Sequence, residues 1–590
     1  MAKMRFERWI EFSAPPDRVW ALLADTDRLN REMGFPVPSF SYQARSNGGT
    51  DVVASASLGP MRFRYREHPF EWVRGRFYSI RRTFGGGPIA EVVGKVQFEA
   101  IGNKTRVKVT TEVECRSFLL LGRMFGLRSL AQLEAACRGF EAYLSKAAST
   151  PYPKESGRPP ADLARLEQGR GSLQRFEADQ DVCGKLCDFL RTAPAGDLVN
   201  FRPLELAVRL GVEPQALLIA CLAATKVGLT DMSWRVMCPY CRSNKDTVRK
   251  LEDLGQEAHC EACNIRFGAG FDENVEVVFS VSHNVRPVVY GAYCIGGPQL
   301  APQAVAQWVL EPGGSRTETL ELGPNVWQVT SLQASNRLRL FVSPDGAGEC
   351  RVRFRDGAAE ADAETIAGQV CLTLSNETSD RVIVRLEEAD WRARAVSAAQ
   401  VTSLQAFRDQ FSSEVLAPGV EIGVGQVCIL FTDLKGSTRM YREQGDALSY
   451  ATVREHFTRL RRSIAAHEGA VVKTIGDAIM ASFNDPGNAV RAALEIQSAD
   501  DPLVTKIGLH WGPTIVVNAN DILDYFGRTV NLASRLQKHS LGGDVILAAE
   551  LALEPGVRQA ISDFNPNIRE FCAEVPDIET EMKLVRLTPR

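Results

Sequence analysis

An apolar strand that ends on a carboxylate is the feature that most constrains the fold of this chain. The stretch CILFTDLKGST, residues 428–438, places Asp433 directly after an apolar run. A buried carboxylate is costly unless it has water, a partner or a metal ion. The pattern returns in VVKTIGDAIMASF, where Gly476 and Asp477 separate two apolar runs. The sequence therefore predicts antiparallel neighbours that bring both carboxylates to one edge of a sheet.

The residues around these carboxylates indicate phosphate and metal chemistry. From residue 427 onward the pattern reads strand, helix, strand, strand, helix, strand, strand, helix. Two carboxylates at a sheet edge offer the hard oxygen ligands that Mg²⁺ prefers. Gly436, Ser437 and Thr438 lead into a helix, whose first N–H groups and dipole form a phosphate cradle.

A second group of polar residues is suited to bind a nucleotide. In DYFGRTVNLASR, Asn531 and Arg535 lie four residues apart on one helix face. An amide and a guanidinium there can orient a ribose and neutralise charge on a phosphoryl group. Lys473 and Asp524 supply a donor and an acceptor that could read a purine edge, and such selection is steep when the wrong base leaves polar groups unpaired.

Four stretches, FTDLKGST, KTIGDAIMASF, LHWGP and DYFGRTVNLASR, resemble the catalytic domain of class III adenylate and guanylate cyclases. The resemblance covers residues 425–550 and assigns 421–590 to an α/β domain with a ferredoxin-like core. It implies that two Mg²⁺ or Mn²⁺ ions bind Asp433, Asp477 and the backbone carbonyl of Leu434. It also implies that Lys473 and Asp524 contact adenine, while Asn531 and Arg535 act on the ribose and phosphate.

The same resemblance implies an adenylate cyclase that converts ATP to cyclic AMP and pyrophosphate by two-metal phosphoryl transfer. Active sites in this family form between two catalytic domains, so a homodimer is expected. One subunit would supply the metal ligands and Lys473, and the other would supply Asp524, Asn531 and Arg535. The family's terminal Lys-Gly element is missing here, and Lys583 cannot replace it. Guanylate or relaxed specificity, and a silent ligand-binding signalling scaffold, remain the alternatives.

The predicted strands and helices of residues 1–150 indicate a separate domain. Alternating strands, a hairpin signal at Gly102-Asn103 and a long helix over about 119–148 resemble the helix-grip fold of START and polyketide-cyclase-like proteins. That resemblance implies an apolar cavity for a small apolar ligand, or a docking domain. A packed α+β domain without a ligand is the alternative. Residues 151–162 read as a linker.

The middle of the chain divides by composition. Residues 163–236 are helical, and their second apolar helix carries no Arg or Lys before Lys226, so a structural bundle is favoured over a DNA-binding helix-turn-helix. Over residues 237–270 the paired cysteines Cys238, Cys241, Cys260 and Cys263 predict a zinc ribbon with one structural Zn²⁺. Redox-active pairs are the lesser alternative, and His259 could replace one ligand.

Residues 271–392 carry short strands with frequent turns, which predict a β-sandwich or small barrel. The helical, cysteine-bearing and β-rich segments together resemble the uncharacterised middle region that accompanies some bacterial cyclases. Within residues 393–420 a single amphipathic helix is expected, which could pair in a dimer as a signalling helix or pack on its neighbour. Its apolar face would consist of Val401, Leu404, Phe407, Phe411 and Val415.

Bulk composition narrows the class of protein. The chain has 590 residues, so several domains are expected, and its 69 basic and 72 acidic residues argue against a globally basic nucleic-acid binder. No apolar run approaches the ~20 residues that span a bilayer, and the N-terminus lacks the apolar segment of a signal peptide. We therefore expect a multidomain α+β cytoplasmic protein without membrane insertion, and its 14 cysteines suit a reducing compartment.

Overall fold

The fold was taken from a computed structural model of the chain. The structure describes residues 2–44, 50–58, 61–117, 119–154, 159–240, 242–261, 263–288, 290–294, 296–389, 394–575 and 581–590.

The N-terminal unit wraps a sheet around a long helix. Its elements are β1 (Ala2–Phe12), α1 (Pro16–Leu23), α2 (Thr26–Met33), β2 (Ser39–Ala44), β3 (Thr50–Leu58), β4 (Met61–Glu67), β5 (Glu71–Val73), β6 (Phe77–Phe84), β7 (Ile89–Ile101), β8 (Lys104–Cys115) and α3 (Leu119–Leu144). Ile101 pairs with Lys104, which confirms the hairpin at Gly102-Asn103. Phe140 of α3 is buried against Trp20 and Val107, so the helix closes the core of this sheet.

The helical segment is a bundle. It contains α4 (Leu163–Leu173), α5 (Gln180–Thr192), α6 (Pro203–Leu210) and α7 (Pro214–Lys226). Leu217, Cys221 and Leu222 of α7 are fully buried, so the apolar second helix is a core helix, as expected for a structural bundle. Among the described residues no single helix is long and apolar enough to span a bilayer. Helices α6 and α7 reach that length and apolarity only when taken together, and the angle between them is bent by 115°.

The strands that follow the bundle form a small sheet and a separate hairpin. They are β9 (Thr230–Met237), β10 (Asn244–Val248), β11 (Glu257–Cys260), β12 (Ile265–Gly268) and β13 (Val275–Val281). β13 pairs with β9, while β11 and β12 form a separate hairpin. The predicted β-sandwich over 271–392 is therefore wrong at its N-terminal boundary, because β13 belongs to the sheet of the helical unit.

The remaining middle strands build their own core. They are β14 (Ala304–Leu310), β15 (Ser315–Glu321), β16 (Val326–Thr330), β17 (Leu338–Arg355), β18 (Ala358–Ala361), β19 (Thr365–Asn376) and β20 (Val382–Glu388), in the order β14-β20-β16-β17-β19-β15 with β18 on β17. Their buried side chains include Trp308, Val352 and Leu372. Ala306 of β14 also pairs with Val73 of β5, so this sheet continues that of the N-terminal unit.

The segment before the C-terminal unit differs from the expectation. The structure has β21 (Val396–Ser397) and two short helices, α8 (Ala398–Thr402) and α9 (Gln405–Gln410), where one helix was predicted. A capping box formed by Ser397 and Gln400 starts α8, and the chain leaves helical geometry at Ser403 and Leu404. The prediction of one helix with a continuous apolar face was therefore wrong.

The C-terminal unit is an α/β sheet. Its elements are β22 (Glu421–Leu434), α10 (Ser437–Gln444), α11 (Asp446–Ala466), β23 (Ala470–Ile475), β24 (Ala478–Phe483), α12 (Pro486–Ser498), β25 (Thr505–Ala519), β26 (Ile522–Phe526), α13 (Arg528–Gln537), β27 (Asp544–Ala548), α14 (Pro555–Phe564), β28 (Asn567–Ala573) and β29 (Met582–Thr588). The strands β25-β22-β24-β23 pair antiparallel in the order of a ferredoxin-like core.

The two faces of this sheet bury different partners. Alternate residues of β22 point to opposite faces. Leu430 packs with the helices α11, α12 and α14. Ile429 instead belongs to a core that continues into the helical unit and includes Trp234 and Phe407. This second face of the sheet is therefore covered by α13, through Ala533, together with the upstream chain.

Candidate active site

Asp433 and Asp477 come to the same end of the sheet, as predicted. Phe431 of β22 pairs with Met480 of β24, and Asp477 lies in the turn just before β24. Because the strands are antiparallel, the end of β22 meets the β23–β24 turn. The Thr432 hydroxyl accepts a hydrogen bond from Ile479 N at 2.9 Å and fixes this junction.

The two carboxylates suit a divalent cation. Among the described residues, Asp477 Oδ2 is buried and has no hydrogen-bond partner, which is costly unless another group compensates for it. Within the same part of the chain, Asp433 Oδ2 accepts one long hydrogen bond, 3.4 Å, from Gln537 Nε2. Carboxylate oxygens without strong donors are the ligands that Mg²⁺ and Mn²⁺ prefer.

The predicted phosphate cradle begins a helix. Gly436 has φ of +77°, a conformation that glycine adopts without strain, and it caps α10. Ser437 and Thr438 are the first two residues of that helix. Their backbone N–H groups have no acceptor within the helix, so they are available to an anion. The helix starts four residues after Asp433, beside the carboxylate pair.

Lys473 and Asp524 form an ion pair within one chain. Lys473 lies on β23 and Asp524 on β26, and the Asp524 side chain is 4% exposed while that of Lys473 is 28% exposed. The expectation that these two residues come from different subunits is therefore wrong, because a single chain brings them into contact. Neither carboxylate of the pair at Asp433 and Asp477 forms a hydrogen bond or ion pair with them in the described part of the chain.

Helix α13 carries Asn531 and Arg535 and lies very close to β25. A Cβ atom added at Gly508 would lie 2.6 Å from Gln537 Cα and 2.8 Å from the Ala533 carbonyl oxygen. The absence of a side chain at Gly508 therefore sets the position of the helix. Sequence reasoning missed this residue, although the stretch GLHWG, with glycines four apart, carried the signal.

Comparison with known families identifies two parts of the chain. Residues 421–554 match the family described as adenylate and guanylate cyclase catalytic domain. The C-terminal unit is a nucleotidyl cyclase catalytic domain. Residues 3–149 match the family described as polyketide cyclase, dehydrase and lipid transport, so the N-terminal unit is a START-like domain. Residues 168–292 match a family of unknown function, DUF5939.

Individual relatives share only part of their length with this chain. An adenylate cyclase of Lachancea kluyveri is 29% identical over 168 residues, which are 24% of this chain and 9% of the relative. An uncharacterized protein of Mycobacterium tuberculosis is 32% identical over 138 residues, 22% of this chain and 34% of the relative. The solved adenylyl cyclase CyaB from P. aeruginosa is 20% identical with a TM-score of 0.25, over 29% of this chain and 97% of that one.

The segment before the cyclase domain is attached to the strands that carry the Lys473–Asp524 pair. Arg408 Nη1 donates to the Leu523 carbonyl at 2.9 Å, and its guanidinium lies over the Tyr525 ring at 5.7 Å. Gln405 Oε1 accepts a hydrogen bond from Val471 N at 2.9 Å. Helix α9 therefore contacts both strands that carry the ion pair, a connection that the sequence pattern did not reveal.

Three of the four predicted zinc ligands come together. The sulfur atoms of Cys238, Cys260 and Cys263 lie within 4.8 Å of one another, and all three residues are buried. Cys241 lies outside the described residues. His259 is hydrogen-bonded to Asn264, at 3.3 Å, and is not part of this group. Three clustered thiols with a fourth in the sequence suit tetrahedral Zn²⁺.

Proposed function

We propose that the cyclase domain converts ATP to 3′,5′-cyclic AMP and pyrophosphate. The observation that carries this proposal is the ion pair of Lys473 with the nearly buried Asp524. A carboxylate can accept from the adenine amino group, and an ammonium can donate to an adenine ring nitrogen. Guanine presents a carbonyl and a ring N–H at those positions, so it would oppose both groups.

The remaining site residues divide the work of phosphoryl transfer. Asp433, Asp477 and the Leu434 carbonyl would hold two Mg²⁺ or Mn²⁺ ions, which supply Lewis-acid activation and charge neutralisation when bound. Asn531 would orient the ribose so that its 3′-hydroxyl faces the α-phosphorus. Arg535 would donate hydrogen bonds to the phosphoryl oxygens as their charge develops. Ser437 and Thr438 would position the phosphates at the start of α10.

We further propose that two copies of the chain form the active sites. In the described residues, the carboxylate pair is not in contact with Lys473 and Asp524, and the family resemblance implies a site shared between two domains. Two copies related by two-fold symmetry would each supply one carboxylate pair and one purine pair, giving two equivalent sites. We also propose that the cysteine cluster binds one Zn²⁺, which stabilises the fold and leaves no position open for catalysis.

The N-terminal START-like domain is proposed as a regulatory domain. A cavity of about 120 Å³ lies between its sheet and α3, and Phe70, Tyr78, Ile80 and Leu133 contribute to its lining. Ligand sites for drug-sized molecules are usually larger, about 300–1,000 Å³. Only a small apolar ligand would fit this cavity without movement of α3.

The direct test is cyclic nucleotide production by the full-length protein with ATP or GTP, and with Mg²⁺ or Mn²⁺. We expect cyclic AMP from ATP, and its loss in Asp433→Ala. The matched control is Asp500→Ala, an exposed carboxylate of the same domain, which should leave the rate unchanged. Equal loss in both variants, or no product from the wild type under any condition, would contradict the proposal and favour a silent signalling scaffold.

The base preference has its own test. The double variant Lys473→Glu with Asp524→Cys replaces the donor and removes the acceptor, so we expect its preference to shift from ATP towards GTP. If the double variant stays active with the selectivity of the wild type, the assignment of these residues to the purine is wrong. A wild type that prefers GTP would establish the guanylate alternative.

A further inference from the structure

A large cavity, distinct from the small one in the START-like domain, lies where three parts of the upstream chain meet. Its volume is about 790 Å³, within the range of small-molecule sites. Trp72 comes from the START-like domain, Phe201 from the helical unit and Arg385 from β20 of the middle sheet. A ligand here would therefore contact three parts of the protein at once.

The lining of this cavity carries an excess of positive charge. Its three carboxylates belong to Glu67, Asp197 and Glu205. Its six basic side chains belong to Arg202, Arg209, Arg235, Arg242, Lys245 and Arg385. Glu276 is fully buried behind the wall and contacts Arg202 at 3.1 Å and Arg235 at 3.5 Å. Lys245 is also paired, with Glu261 at 3.8 Å. With Glu276 and Glu261 counted, the six basic groups face five carboxylates.

Apolar side chains, among them Phe70, Met237 and Leu332, line the rest of the space. They offer a surface for a hydrocarbon or aromatic body.

We propose that this cavity binds a small organic anion with an apolar body, one molecule per chain. Its acidic group would lie against the arginines that line the cavity. Because the three parts that line the cavity would be held together by the ligand, its binding stabilises their arrangement. This inference does not depend on catalysis by the cyclase domain.

The test uses the full-length protein and the fluorescent anion 1-anilinonaphthalene-8-sulfonate. We expect saturable binding of one probe per folded chain, and at least tenfold weaker binding of the neutral analogue N-phenyl-1-naphthylamine. The variants Arg242→Gln and Arg385→Gln should each weaken binding of the anion by about tenfold, as expected for loss of a charge-assisted hydrogen bond. Arg569→Gln, on the exposed strand β28, is the matched control and should bind as the wild type does.

Charge-keeping variants separate binding from folding. Arg242→Lys and Arg385→Lys should recover most of the affinity, and near-ultraviolet circular dichroism should show the same folded state in all variants. Equal affinity for the anionic and neutral probes would overturn the proposal. Loss of affinity in the lysine variants while the fold is retained, or equal weakening by Arg569→Gln, would also overturn it.

Discussion

The close approach of α13 to β25 predicts that Gly508→Ala disables the cyclase domain without unfolding it. The added Cβ would lie 2.6 Å from Gln537 Cα and 2.8 Å from the Ala533 carbonyl oxygen, whereas ordinary contact begins at 3.4 Å. These neighbours are backbone atoms, so no side chain can rotate away. Helix α13 must therefore retreat from the sheet by roughly 1 Å, at a cost of about 1–3 kcal/mol.

The retreat moves Asn531 and Arg535, which lie on the same helix, away from the reacting phosphate. A misplacement of ~1 Å can cost about 10²-fold in rate. We expect kcat to fall by roughly that factor while KM for ATP changes much less, because Lys473 and Asp524 lie on β23 and β26 and not on α13. Steady-state kinetics and thermal unfolding of the full-length protein measure both effects.

The matched control is Gly423→Ala on β22 of the same sheet. A Cβ there meets nothing within 4 Å, and Gly423 has no positive φ, so the rate and the thermal stability should both stay near the wild-type values. If Gly508→Ala retains a kcat within about twofold of the wild type, the position of α13 does not depend on this contact. If both glycine variants lose activity equally, the loss is not due to the helix.

Three further predictions concern the rest of the chain. Burial lowers the pKa of His68 from 6.5 to about 4, and the nearby charge of Arg381 adds to the effect. As the pH falls, the unfolded state therefore binds a proton before the folded state does, so the free energy of unfolding should decrease between about pH 6.5 and pH 4. The variant His68→Gln should show a weaker pH dependence of this free energy in denaturant titrations. The variant Cys260→Ser should lose one equivalent of bound zinc, measured with a chromogenic chelator, and should unfold at a lower temperature. Cys572 is exposed, so Cys572→Ser should keep both the zinc content and the unfolding temperature of the wild type. Arg408→Ala should reduce the ratio of ATP to GTP turnover by about tenfold, because the Leu523 carbonyl beside Asp524 loses a charged hydrogen-bond donor. An unchanged ratio would show that Arg408 does not influence the choice of base.

The parts of the site that the sequence predicted correctly are those set by local order along the chain. Asp433 follows an apolar strand and Asp477 occupies a two-residue turn, so hairpin geometry alone brings them to one edge. The first turn of α10 after Gly436 was predicted for the same reason. Strand alternation also predicted the START-like sheet and its hairpin at residues 102–103.

Features that depend on contacts between distant segments were not predicted. The spacing of Val401, Leu404 and Phe407 fits one helix, but Leu404 ends up in an extended conformation between two short helices. Tertiary packing against Trp234 and the cyclase sheet outweighs a helical pattern of this length, since short helices gain most of their stability from packing. The contact of Lys473 with Asp524 joins residues 51 positions apart, and no local pattern encodes it.

The shared core also bears on how upstream domains could influence the cyclase domain. Ile429, Met480 and Tyr525 belong to the same buried cluster as Trp234 and Phe407, so removal of residues 163–416 would expose an apolar face of the catalytic sheet. Burial of apolar surface is worth about 25 cal/mol per Å², and the isolated domain would lose that contribution. Helix α9 contacts β23 through Gln405 and β26 through Arg408. These contacts connect the upstream chain to the two strands that carry Lys473 and Asp524.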